Sequence, residues 1–71
     1  MHANLASLDP GTSYALTLCP AGSTPAVVRC TFLGYRTEHA QPCIEVARAT
    51  GRMHLIALAS IATADRIRLP D

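Results

Sequence analysis

Two groups of side chains in this chain are suited to chemistry. Tyr35, Arg36 and His39 fall close together and combine a ring with donors for a phosphate. Single-stranded nucleic acid is held by that combination of stacking platform and cation. Arg48, Arg52 and His54 form a second group around a turn at Thr50 and Gly51. Both groups belong at strand ends, where they would line one rim of a small domain. The same side chains equally fit ordinary solvated strand ends, and the spacing alone leaves both descriptions open.

Other chemistries are poorly served. A structural zinc site needs paired ligands at short spacing. Cys19, Cys30 and Cys43 are widely separated, and their odd number argues against a closed disulfide framework. His39 and Cys43 are the one pairing with nucleophilic character, together with His54. They flank a break containing Pro42, with no helix start to lower the thiol pKa. Cys30 shares an apolar face with Val28 and Phe32, where a thiol acts as a small hydrophobe. Cys43, next to a loop proline, is expected to be the more accessible of the two. The four glycines are scattered singly, so no phosphate loop is present. No cofactor, metal or catalytic residue is expected.

Composition limits what can position these residues. The chain has 71 residues, 49% of them hydrophobic, yet only one Phe and two Tyr. A core of Leu, Ile and Val around a single Phe is thin filling for so short a chain. A second copy would supply the missing burial. Net charge is +1, and all six basic residues are Arg. So small a charge steers no polyanion from a distance. The N-terminus lacks a basic start followed by a long apolar run, and no apolar run approaches a membrane span. A cytoplasmic protein without a membrane partner is the expectation.

Turn signals divide the chain into short pieces: Asp9, Pro10 and Gly11, then residues 20–25, then residues 38–42, then residues 50–52. Between them the period is close to two. Tyr14, Leu16 and Leu18 share one face. Val28, Cys30 and Phe32 share another, with Arg29 and Thr31 opposite. Ile44 and Val46 alternate with Glu45 and Ala47, and Ile67 and Leu69 with Arg66 and Arg68. Such alternation predicts half-buried antiparallel strands. Gly34, inside the second run, marks a bend.

Residues 53–64 are ambiguous. Their alanines favour helix, and Leu55, Leu58 and Ala62 fall at helical spacing. The hairpin signal at Gly51 favours a strand instead, followed by a 3₁₀ turn at Ser60, Ile61 and Ala62 and a last strand reaching Ile67. The fold class predicted is all-β: a small five-stranded SH3-like barrel over residues 13–69. Residues 1–12 form a leader with room for one helical turn.

That succession of apolar positions resembles the bacterial Sm-like proteins, the small barrels of Hfq, the Rof family and WYL regulators. The residues that carry the resemblance are Tyr14, Leu16 and Leu18, then Gly34, then Ile44 and Val46, then Leu55, Leu58 and Ile61. It implies an Sm-like barrel, nucleic-acid binding and rings built from edge strands. At the segment where RNA-binding relatives place basic and aromatic residues, this chain reads alanine, leucine and serine up to Ile61. The expected function is a non-enzymatic regulatory module binding RNA as a homo-oligomer. The alternative is a protein-protein interaction or assembly module with a regulatory protein partner and no nucleic-acid ligand.

Overall fold

The computed structural model of the chain describes residues 2–19 and 24–68. Residues 20–23 of the loop expected at 20–25, and Leu69, lie outside them. Five antiparallel strands make one sheet: β1 (Ser13–Leu18), β2 (Ala26–Glu38), β3 (Gln41–Ala47), β4 (Met53–Ala57) and β5 (Ile61–Arg66). Their order across the sheet is β4-β3-β2-β1-β5. Among the described residues helix is confined to two 3₁₀ turns, Leu5–Ser7 and Leu58–Ser60. Residues 53–64 are therefore strand, turn and strand, despite their alanines. Burial of Ile61 and Ala64 against the sheet outweighs local propensity.

Period-two alternation sets the core in β1, β2 and β3, and a register shift against β1 brings Ile61 and Ala64 of β5 to the same side. Tyr14 and Leu16 of β1, Cys30 and Phe32 of β2, Ile44 and Val46 of β3, and Ile61 and Ala64 of β5 pack as one buried cluster, which Leu8 of the leader completes. The bend expected at Gly34 is a β-bulge: Phe32 pairs with Val46, but Gly34 pairs with the next residue back, Glu45. One extra residue flips the faces of the strand. Before the bulge Cys30 and Phe32 point inward; after it Tyr35 pairs with the buried Ile44 and packs its ring on Phe32, while remaining 44% exposed.

The two outer strands are joined by only three residues, Leu58–Ser60. In a flat sheet they would lie four spacings apart, about 19 Å. A 3₁₀ connection of this length spans roughly 8 Å. The sheet must therefore curl until its ends approach. No backbone ladder joins β4 to β5, so the hydrogen bonding stays open there. The 3₁₀ turn sits two residues earlier than the sequence suggests, and Ile61 opens β5 rather than closing a turn. β5 ends at Arg66, so Ile67, expected on the last strand, lies just beyond it and is half-buried.

The leader is tied to the sheet. Asn4 caps the first 3₁₀ turn by accepting from the Ala6 N–H at 2.9 Å. The Tyr35 hydroxyl donates to the Leu5 carbonyl at 2.6 Å and accepts from the Leu8 N–H at 2.9 Å. Tyr14 does the same for Asp9, accepting from its N–H at 2.9 Å. These bonds hold Leu8 over the core, where it is buried.

Candidate nucleic-acid interface

The β3–β4 turn assembles the cationic group. Ala47 and Met53 are the last paired residues of the two strands. Beyond them the Arg48 N–H donates to the Arg52 carbonyl, and the Gly51 N–H donates to the Arg48 carbonyl, both at 2.8 Å. Gly51 has φ +85°, the left-handed conformation that a turn of this length asks of its last residue. Arg48 and Arg52 are thus fixed on opposite sides of one tight turn. His54 follows on the face of Val46 and is exposed because the core stops there.

A third arginine joins them. Arg29 of β2 lies opposite Ala15, two residues before the Thr31–Ala47 pair that leads into the turn. Together with Val27, the side chains of Arg29, Arg48, Arg52 and His54 line an open groove of about 650 Å³. None of the residues lining it is acidic. Among the described residues Arg29, Arg48 and Arg52 have no ion-pair partner, whereas Arg36 pairs with Glu45 and Arg66 with Asp9, both at 3.2 Å. Asp65 takes His2 at 2.8 Å. A net charge of +1 therefore conceals a strongly divided surface, with three free guanidinium groups at one end.

The two groups expected to share a rim do not. Successive turns of an antiparallel meander lie at opposite ends of the strand between them. Arg36 pairs with Cys43 and the β2–β3 turn carries His39, while Arg48 follows the far end of β3. From Cys43 to Arg48 is five residues, about 17 Å along a strand. The Tyr35 hydroxyl is spent on the leader, and its ring packs edge-on against Phe32 with centroids 5.0 Å apart. His39 sits exposed at the turn, where it and Ala40 take positive φ of 49° and 64°. Tyr35, Arg36 and His39 thus make no continuous surface with Arg48, Arg52 and His54. Arg29 was missed because alternation places it outward without saying which turn it faces.

No known family, characterised protein or solved structure matches this chain. Its site must be read from its own geometry.

The cysteines also correct the sequence reading. Cys43 is buried, at 5% exposure, not the accessible thiol. Pro42 lies inside β3 opposite Thr37, so Cys43 is flanked by both neighbouring strands. Its thiol donates to the Arg36 carbonyl at 3.5 Å. Burial pushes the Cys30 thiol above its ordinary pKa, against a smaller opposing pull from Arg48. The folded protein therefore holds that proton more tightly than the unfolded chain. Its contribution to stability is whole below the ordinary thiol pKa and is lost as pH rises through the folded value. Cys19 alone of the three is exposed. Under native conditions a thiol reagent is expected to modify Cys19 quickly, and Cys30 and Cys43 only at the rate of unfolding. Mass-resolved labelling checks this: two fast sites would place Cys43 back at the surface.

Proposed function

We propose that this chain is a non-enzymatic, Sm-like module of the SH3-like barrel type that binds single-stranded nucleic acid as a homo-oligomer. One observation carries the reading: Arg29, Arg48 and Arg52, free of carboxylate partners among the described residues, converge with His54 on one open groove. Guanidinium groups present forked donors that suit phosphate oxygens. Repetition of the groove in an oligomer would multiply a charge too weak to act alone. The succession of strands, with a three-residue 3₁₀ turn before the last, supports the barrel type.

A salt titration tests it. Binding of labelled single-stranded RNA is measured by fluorescence anisotropy over a range of salt. Three neutralised phosphates per chain predict a log–log slope of about −2, from ~0.7 per phosphate. Absence of binding at low salt, or binding indifferent to salt, would remove the reading. In that case the assembly module gains, favoured by the exposed Met53 and Leu55 on β4.

A further inference from the structure

We infer that two copies of this chain pair through β4, antiparallel, about a two-fold axis at Leu55. The pairing specifies the self-association in the reading above and rests on it. β4 is an outer strand, and among the described residues no backbone group bonds its free side. Natural edge strands are protected by charge, proline or a bulge. β4 has none of these: it is Met53, His54, Leu55, Ile56 and Ala57, in regular register with β3. Met53 and Leu55 alternate on one face and are 65% and 48% exposed. The sequence is apolar on both sides, yet the single chain leaves one side uncovered.

The other edge is taken. At β5 the Ala3 N–H donates to the Ala64 carbonyl at 2.6 Å, and His2 contacts Asp65. A head-to-tail ring joining β4 to the next copy's β5 would have to displace this leader. A symmetric contact between two β4 strands displaces nothing.

Charge selects the direction. Arg48 and Arg52 lie at the start of β4, whereas its end at Ala57 faces Cys43, on the side of the sheet that carries Glu38, His39 and Arg36, the last already paired with Glu45. Parallel pairing would bring two arginine turns together. Antiparallel pairing places each arginine turn toward the Glu38 end of the other copy. Centred on Leu55, the register sets Leu55 against its own symmetry mate and Met53 against Ala57 of the second copy. The two Leu55 then meet on the axis, each Met53 lies beside Ala57 and diagonal to Leu55 of the second copy, and the two grooves flank the seam of a ten-stranded sheet at opposite strand ends.

Sedimentation velocity of the full chain over a concentration series should report a mass of twice 7.5 kDa. Leu55→Lys sets two like charges face to face on the axis and should weaken the dimer by up to about fivefold, from ~1 kcal/mol for a directly opposed pair. Because strain in the variant could mimic that effect, Leu55→Cys is made in a Cys19→Ser background. Directly opposed residues in an antiparallel pair lie about 4.5–5.5 Å apart, within disulfide reach, so mild oxidation should link the chains as covalent dimers. A ring larger than two, an unweakened Leu55→Lys dimer or no Leu55→Cys cross-link would overturn the pairing while leaving self-association standing. A monomer at every concentration would remove both.

Discussion

Replacing Phe32 with alanine is expected to unfold the domain. Phe32 is 1% exposed and is the chain's single Phe. Its ring meets Tyr14 and Tyr35 edge-on, with centroids 6.5 and 5.0 Å away. It sits on the central strand beside the bulge, opposite Val46, which is fully buried. Loss of a buried Phe costs about 3–5 kcal/mol. A domain of 71 residues has roughly 4–11 kcal/mol to lose at the usual stability per residue. The loss also frees Tyr35, whose hydroxyl holds the leader at Leu5 and Leu8. Urea denaturation should show a lost or strongly shifted transition, and Phe32→Leu an intermediate one. A Phe32→Ala protein that unfolds cooperatively within about 1 kcal/mol of the parent would mean that this core collapses around the cavity.

The second large effect is expected on binding. Arg48→Gln with Arg52→Gln should weaken RNA by about a hundredfold. Each lost charge-assisted hydrogen bond is worth about 1.5 kcal/mol at the low end, close to tenfold. The salt slope should fall by about 1.4, from ~0.7 per lost phosphate contact. Stability should hold to within about 0.5 kcal/mol, because both side chains are exposed and their turn is closed by backbone bonds. Arg36→Gln, at the other end of β3, serves as the control. It removes the pair with Glu45 and should leave RNA binding unchanged. Equal loss from Arg36→Gln would show that binding follows total charge rather than the groove.

Local alternation was enough to assign β1, β2 and β3 and their inward faces. Alternation is local, so Tyr14, Leu16, Cys30, Phe32, Ile44 and Val46 could be assigned to the core one segment at a time. Gly34 likewise announced a bend through its missing side chain, and the bulge lies there. What depends on distant pairs was decided by tertiary structure. Cys43 reads as a loop-side thiol until β2 and β4 flank it. Tyr35 reads as a free ring at a strand end, and the tertiary structure gives its hydroxyl to the leader while leaving it 44% exposed. The β5 start shifted because burial of Ile61, not the pattern of residues 53–64, sets where that strand begins. Arg29 and Arg52 are 23 residues apart in the chain, and antiparallel pairing brings them to one groove. The same connectivity sends Arg36, much closer to Arg29 in sequence, to the opposite end of β3. Side-chain direction follows from a local period, but which charges share a surface follows from strand order and register, set by the burial of the whole sheet.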